Sequence, residues 1–85
     1  MVEYITKEKL TKVEKAERYL KSLQIRQVRV RTHQDIVRIE VEPKDMMKIL
    51  DQHHLIVKEL QDYGYKYITL DLMGYQSGSM NMVLS

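Results

Sequence analysis

The chain has 85 residues, with one proline, three glycines and no cysteine, and this is the size of one small domain. The lack of cysteine excludes disulfides, cysteine–zinc sites, iron–sulfur ligation and thiol nucleophiles within the chain. Fourteen basic and twelve acidic residues leave a net charge of +2, which argues against a general nucleic-acid footprint. No apolar run approaches the roughly 20 residues of a membrane span, and the N-terminus does not resemble a signal peptide. We therefore expect one cytoplasmic domain over residues 1–85.

The chain begins with a short predicted strand at Val2–Ile5, and a helix follows over about residues 7–23. Thr6 is a suitable N-cap for this helix. Glu17 falls within the angular span of the apolar stripe, so its carboxylate either reaches water at the edge of the stripe or pairs with a strand arginine. The stripe is formed by apolar residues at three- and four-residue spacing: Leu10, Val13, Ala16, Leu20 and Leu23.

Two stretches with period-two alternation predict strands at Ile25–Thr32 and Ile36–Glu42. Valine and isoleucine occupy one face of each strand, and charged side chains occupy the other. A turn at His33-Gln34 would pair Val30 with Val37, so that the apolar sides of both strands coincide. The sequence thus predicts a hairpin with one apolar and one charged face.

A second helical region is predicted from Pro43 to Gly64, with a break in the Asp51–His54 stretch. The last predicted strand is Lys66–Leu72, and we expect the chain to be ordered over about residues 5–75 with a flexible tail at 76–85. The inner stripe of the second helical region is predicted to be Met46, Ile49, Leu50, His53, Ile56, Val57 and Leu60. In the last strand, the predicted inward residues are Ile68, Leu70 and Leu72.

The element order (β)αββαβ predicts an α/β (α+β) two-layer sandwich, with both helices on one face of a sheet of about three or four strands. A right-handed crossover makes the last two strands parallel. A further strand between them would give a split β-α-β, ferredoxin-like arrangement. The uncovered face is predicted to carry Gln27, Arg29, Arg31, Arg38, Glu40, Glu42, Tyr65, Tyr67 and Asp71.

Three arginines on this uncovered face need partners, because cross-strand neighbours lie only about 5 Å apart. Arg29, Arg31 and Arg38 either form a salt-bridge lattice with carboxylates such as Glu40, or they bind an anion, for which guanidinium groups are well suited. Asp71 at the end of the last strand either orients a ligand or caps the following loop. Both interpretations remain open from the residues alone.

Other chemistry finds little support in the sequence. The spacing of His33, His53 and His54 is not that of metal ligands, and no catalytic serine–histidine–aspartate or Walker motif is present. We predict neither a catalytic residue nor a metal site in this chain. Tyr65 and Tyr67 beside the arginines suggest a further alternative, single-stranded RNA stacked on the sheet, although the near-neutral charge argues against it.

Several blocks of the sequence are distinctive in combination. They resemble the C-terminal domain of ATP-dependent sacrificial sulfur transferases of the LarE type, which are PP-loop ATP pyrophosphatases, and the resemblance extends over nearly the whole chain. The blocks are Ala16-Glu17-x-Tyr19-Leu20, Gln27-Val28-Arg29-Val30-Arg31-x-His33, Ile36-Val37-Arg38-Ile39-Glu40-Val41 and Gly64-Tyr65-Lys66-Tyr67-Ile68-Thr69-Leu70-Asp71-Leu72-x-Gly74-Tyr75.

In that family, an N-terminal PP-loop domain binds ATP and Mg²⁺, and a protein cysteine supplies sulfur to a pyridinium carboxylate. The C-terminal domain contributes polar residues to the site and helps to build a ring-shaped oligomer. The resemblance implies that Glu17, Arg29, Arg31 and Glu40 lie near a substrate phosphate, with Arg38 and Asp71 as secondary candidates.

This chain has neither a PP-loop nor the sulfur-donating cysteine, and Gln76 stands where the family usually has arginine. We therefore expect a non-catalytic accessory domain that binds a phosphate-containing small molecule and holds no cofactor by itself. Its expected macromolecular partner is a second copy of the chain or a PP-loop domain. A purely structural assembly module is the alternative.

Overall fold

The structure is a computed structural model that describes residues 7–75, with side chains from residue 11 onward. The predicted strand Val2–Ile5, the N-cap Thr6 and the tail 76–85 lie outside the described residues. The elements are α1 (Lys7–Lys21), β1 (Val28–His33), β2 (Ile36–Val41), a 3₁₀ turn (Pro43–Asp45), α2 (Met46–Asp51), α3 (His53–Asp62) and β3 (Tyr67–Leu70).

The described strands form one mixed sheet in the order β1-β2-β3, with β1 antiparallel and β3 parallel to β2. The predicted α+β sandwich and the parallel pair are confirmed. The predicted strand between that pair is wrong, because β2 and β3 are direct neighbours. Asp71 donates its main-chain N–H to the carbonyl oxygen of Ile39 at 2.9 Å. The two strands and their connecting helices therefore form an ordinary, unsplit β-α-β unit within residues 7–75.

The hairpin turn lies one residue later than the sequence predicts. Gln34 and Asp35 form the turn, so that His33 pairs with Ile36 and Val30 with Ile39. Gln34 adopts a left-handed φ of 56°. The Asp35 carbonyl oxygen accepts hydrogen bonds from the main-chain N–H groups of Lys66 at 2.9 Å and Tyr67 at 3.1 Å, so the turn is also bonded to the start of β3. The register changes by two residues, and an even shift leaves the predicted faces intact.

The hydrophobic core lies between the helices and one face of the sheet. Its largest fully buried side chains are Leu20 from α1, Ile39 from β2, Ile56 and Leu60 from α3, and Ile25 from the α1–β1 connection. Because residues of α1 and α3 join one cluster with the apolar sides of the strands, both helices cover the same face, as predicted. Full burial of each such side chain contributes about 1.5–3 kcal/mol.

The second helical region breaks at Gln52, between α2 and α3, within the predicted stretch. The predicted inner stripe is wrong at two positions. Leu50 is exposed because α2 buries its neighbour Ile49, and His53 is exposed because the apolar stripe does not continue in phase where α3 begins. Leu72 is also exposed instead of inward, because β3 already ends at Leu70. No helix in residues 7–75 has the length and apolar content needed to cross a membrane.

A Schellman motif ends α3 and determines where Tyr65 lies. Gly64 has φ 110° and donates its N–H to the carbonyl oxygen of Gln61 at 2.9 Å, while the N–H of Tyr65 reaches the carbonyl oxygen of Leu60 at 3.3 Å. Tyr65 is thus the residue whose side chain packs back onto the helix, and it is only 5% exposed. The predicted cap at Gly64 is confirmed, but the prediction that Tyr65 lies on the open face is wrong.

Candidate anion site on the open face of the sheet

The face of the sheet that the helices leave uncovered carries a cluster of charged side chains. We call this cluster the charged face. Pairing places Arg29 opposite Glu40 and Arg31 opposite Arg38. Asp71 follows directly after β3 and adds a second carboxylate beside Arg38. The charged face is therefore defined by five residues: Arg29, Arg31, Arg38, Glu40 and Asp71.

Glu40 is the centre of the charged face. Its Oε2 atom accepts a hydrogen bond from Arg31 Nε at 3.0 Å and lies 3.2 Å from Arg38 Nη2. The Glu40 side chain is 11% exposed, whereas those of Arg31 and Arg38 are 49% and 50% exposed. One buried carboxylate thus fixes the positions of two guanidinium groups that remain open to solvent.

Asp71 connects the charged face to the turn that follows β3. Its Oδ2 atom lies 3.6 Å from Arg38 Nε, and its Oδ1 atom accepts the main-chain N–H of Met73 at 2.9 Å. The sequence left open whether Asp71 orients a ligand or caps the loop. The structure shows the cap, and it shows the same carboxylate holding Arg38.

The neighbour of Arg29 within the described part of the chain is an aromatic ring. Its guanidinium carbon lies 5.8 Å from the centre of the Tyr75 ring, a cation–π arrangement. Gly74, with φ 81°, brings Tyr75 back over β2, where the Tyr75 N–H donates to the carbonyl oxygen of Val41 at 2.8 Å. A Cβ at position 74 would lie 3.0 Å from that oxygen, so a larger residue would displace the turn. Sequence reasoning missed Tyr75, although Gly74 marks the turn that positions it.

Glu17 lies apart from this cluster, at the outer edge of β1. Its Oε2 atom accepts the main-chain N–H of Val30 at 2.9 Å. The sequence predicts that the Glu17 carboxylate either reaches water or pairs with a strand arginine. Among the described residues its partner is instead a main-chain N–H group. The Val30 N–H points away from β2 and would otherwise lack a partner, which explains a carboxylate within the apolar stripe of α1.

The charged face presents the guanidinium groups of half-exposed arginines beside two carboxylates. Arg31 meets Glu40 through Nε, whereas Arg38 meets Glu40 through Nη2 and Asp71 through Nε. Both arginine side chains are about half exposed, which leaves guanidinium N–H donors facing solvent. These donors suit the oxygens of a phosphate or carboxylate. No group of three or more histidine, aspartate or glutamate side chains in residues 11–75 is placed to hold a metal ion.

The second tyrosine considered for RNA stacking, Tyr67, does lie on the open side of the sheet and is 61% exposed. It pairs with Ile36 at the end of the sheet away from Glu40. Since Tyr65 is buried in the helical layer, the pair of stacking rings that an RNA platform would need is not present on this face.

A second polar cluster lies in the groove between α1 and α3, and sequence reasoning did not identify it. The groove has a volume of about 390 Å³ and is lined by Lys15, Arg18, Tyr19, Ser22, Glu59 and Tyr63. The Tyr63 hydroxyl donates to Glu59 Oε2 at 2.7 Å. Burial, followed by this hydrogen bond and the negative charge of Glu59, raises the pKa of Tyr63 to about 12. Burial and Glu59 also raise the pKa of Tyr19.

The chain is similar to parts of several longer proteins. It is 46% identical over 85 residues to an uncharacterized protein of Synechocystis, covering 98% of this chain and 32% of that protein. It is 41% identical over 81 residues to the pyridinium-3,5-bisthiocarboxylic acid mononucleotide synthase of Lactiplantibacillus plantarum, covering 95% of this chain and 29% of the synthase. An uncharacterized protein of Methanocaldococcus jannaschii is 34% identical over 73 residues, or 86% of this chain and 29% of that protein.

The synthase is a LarE-type enzyme, and this chain is similar to one domain-sized part of it. The chain spans about a third of the length of each of these relatives. No protein-family model matches the chain. The resemblance drawn from the sequence motifs is thus supported at the level of a related domain.

Proposed function

We propose that the chain is a non-catalytic accessory domain of the LarE type of sulfur transferase, and that its charged face binds a phosphate-bearing small molecule. Similarity to one part of the mononucleotide synthase supports the relationship. The observation that carries the anion site is the position of Glu40, which holds two half-exposed guanidinium groups while Arg29 lies opposite it in the register.

The charge balance of the face favours an anion. Arg29 has no carboxylate within ion-pair distance among the described residues, so three positive charges face two negative ones. The carboxylates of Glu40 and Asp71 already hold the side chains of Arg31 and Arg38. These arginines therefore lose less rotamer entropy when an anion binds. Because three guanidinium groups and two carboxylates leave the charged face with a net positive charge, it attracts a phosphate dianion more strongly than a singly charged anion.

This proposal is tested by titrating the isotopically labelled protein with inorganic phosphate and with adenosine monophosphate. We expect the amide and Nε–H NMR signals of Arg29 and Arg31 to shift, with a Kd of about 1 mM or tighter. The double variant Arg29→Ala/Arg31→Ala removes the shift. Arg18→Ala, an exposed arginine on α1, serves as the matched control and leaves the response intact.

A response of equal size in sodium chloride at matched ionic strength would contradict specific anion binding. An unchanged response in the double variant would place the anion elsewhere on the chain.

The ion pairs themselves favour a second candidate, a structural assembly module whose charged face is closed by internal salt bridges. Arg31 and Arg38 already have carboxylate partners at 3.0 and 3.2 Å. In this case sedimentation shows a defined oligomer that is indifferent to phosphate, and the arginine NMR signals do not move. A stable monomer that responds to phosphate excludes this alternative.

A further inference from the structure

The two outer edges of the sheet differ in how their backbone groups are satisfied. At β1, Glu17 of α1 accepts the outward N–H of Val30, so one main-chain donor of this edge is already satisfied. The charged face at the same strand carries Arg29 and Arg31, and another strand with the same side chains would bring like charges together. The β1 edge is thus protected against strand pairing.

The edge at β3 has no such protection within the described residues. The main-chain N–H groups of Tyr67 and Asp71 point toward β2, where they reach Asp35 at 3.1 Å and Ile39 at 2.9 Å. Main-chain groups alternate in direction along a strand, so Thr69 also faces β2, whereas Ile68 and Leu70 present their N–H and C=O groups to the outside. Within residues 7–75 these two residues form an open hydrogen-bonding edge.

The apolar layer is also incomplete at β3. Val37 and Ile39 on β2 are 0% and 1% exposed, but their register partners Ile68 and Leu70 are only partly buried. On the opposite side of the sheet, Tyr67 is 61% exposed and Ile36 38% exposed. Both sides of β3 therefore retain apolar surface that a neighbouring strand would cover.

We propose that β3 pairs antiparallel with β3 of a second copy of this chain, around a two-fold axis at Thr69. In this register Ile68 lies opposite Leu70 of the second copy, and each exchanges its outward N–H and C=O groups with the other. The two symmetric pairs supply about four hydrogen bonds. The two sheets then form one continuous sheet, and the apolar layer passes from one copy to the next.

A second copy fits this edge because the sequence of β3 is self-complementary about Thr69. The two-fold register places Tyr67 opposite Asp71, Ile68 opposite Leu70, and Thr69 opposite itself, so no like charges meet directly. The same operation at β1 would bring arginine toward arginine. The interface does not include the guanidinium groups of the proposed anion site, which lie on β1 and β2, and it shares only Asp71 with the charged face.

The test begins with sedimentation equilibrium and amide hydrogen exchange of the whole chain at increasing protein concentration. Since the strand is short, we expect a weak dimer with a Kd of about 100 µM. Exchange at Ile68 and Leu70 slows as the dimer forms, whereas exchange at Thr69, which faces β2, changes little. A chain that remains monomeric at about 1 mM overturns the proposal.

Charges introduced at the two-fold axis test whether the copies meet at the β3 edge. Thr69→Lys and Thr69→Glu each place like charges opposite one another and weaken the dimer by about fivefold or more. An equimolar mixture of the two variants restores dimerisation. Thr69→Val is the matched control, because like the charged variants it loses the hydrogen bond from Thr69 Oγ1 to the Val37 carbonyl oxygen (3.0 Å), and it retains the dimer.

Two further outcomes would overturn the proposal. If Thr69→Lys dimerises as well as Thr69→Val does, the copies meet at another surface. If Ile68 and Leu70 exchange slowly at every protein concentration, a segment of the same chain covers the edge. Circular dichroism of each variant shows that it is folded, so that loss of the dimer reflects the interface.

Discussion

The two faces of the sheet are maintained by different forces. The apolar face is closed by α1 and α3, and the valine and isoleucine side chains that β1 and β2 contribute to it are almost completely buried. No helix of residues 7–75 covers the charged face, and its order comes from Glu40 and Asp71, which hold Arg31 and Arg38 in place. The difference shows that one side of a thin sheet can hold the apolar core while the other is organised by ion pairs between half-exposed side chains.

The largest loss of stability is expected from a substitution in the helix-covered, apolar face. Leu20→Ala removes a fully buried side chain of α1, and we expect it to lower the free energy of unfolding by about 2–5 kcal/mol. Urea denaturation measures this change. The control Leu72→Ala concerns a residue that is 80% exposed, and its effect stays within about 0.5 kcal/mol. Equal losses in the two variants would show that the helix-covered face is not the main source of stability.

On the charged face, Glu40→Ala removes the carboxylate that two arginines share. We expect a loss of about 1–3 kcal/mol in the free energy of unfolding, because the arginines then repel each other, while their half-exposed positions keep them partly hydrated. The loss decreases with added salt. Glu42→Ala is the matched control, since its exposed pair with Lys44 at 3.7 Å contributes little. A loss as small as that of the control would mean that Glu40 does not organise this face.

Glu17 lies at the boundary between the helical layer and the sheet, where it links α1 to β1. Glu17→Ala leaves the outward N–H of Val30 without its acceptor, and we expect a loss of about 1–2 kcal/mol in the free energy of unfolding. Glu17→Gln retains an acceptor oxygen and loses less. Amide exchange at Val30 becomes faster in the alanine variant. If that amide exchanges at the wild-type rate, the carboxylate does not cap the edge of β1.

The smallest effect concerns the polar groove of the helical layer. Folding raises the pKa of Tyr63 from 10.0 to about 12, so its phenol contributes fully to stability below pH 10, and this contribution is lost as the pH rises toward 12. The sign follows because the unfolded chain releases this proton first. Tyrosinate absorbance measured against pH shows the late ionisation, which disappears in Tyr63→Phe and moves to lower pH in Glu59→Gln. Identical titrations of wild type and Glu59→Gln would contradict a role for Glu59.

Sequence patterns predict the parts of this fold that depend on local periodicity. Alternation in the strands identifies the apolar and charged faces, and it places Arg31, Arg38 and Glu40 together before their contacts are known. The break between α2 and α3 and the cap at Gly64 also follow from local residue preferences. An error of one residue in the turn left these predictions intact, because the register changed by an even number.

The remaining features depend on contacts between distant parts of the chain. Glu17 meets a main-chain N–H thirteen residues away, and no residue pattern indicates such a partner. Tyr65 is buried because the cap of α3 turns it inward before β3 begins, so strand alternation does not apply to it. Tyr75 reaches Arg29 only because Gly74 reverses the chain over β2. Each of these positions is set by tertiary structure rather than by local preference.

The turn at Gln34 and Asp35 has a consequence for how the length of this domain can vary. The carbonyl oxygen of Asp35 accepts hydrogen bonds from both Lys66 and Tyr67, so the hairpin tip also fixes the beginning of β3. An insertion at the tip would therefore disturb two strand pairings at once, whereas most surface turns absorb an extra residue locally. We expect natural and engineered variants of this domain to keep the length of this turn constant.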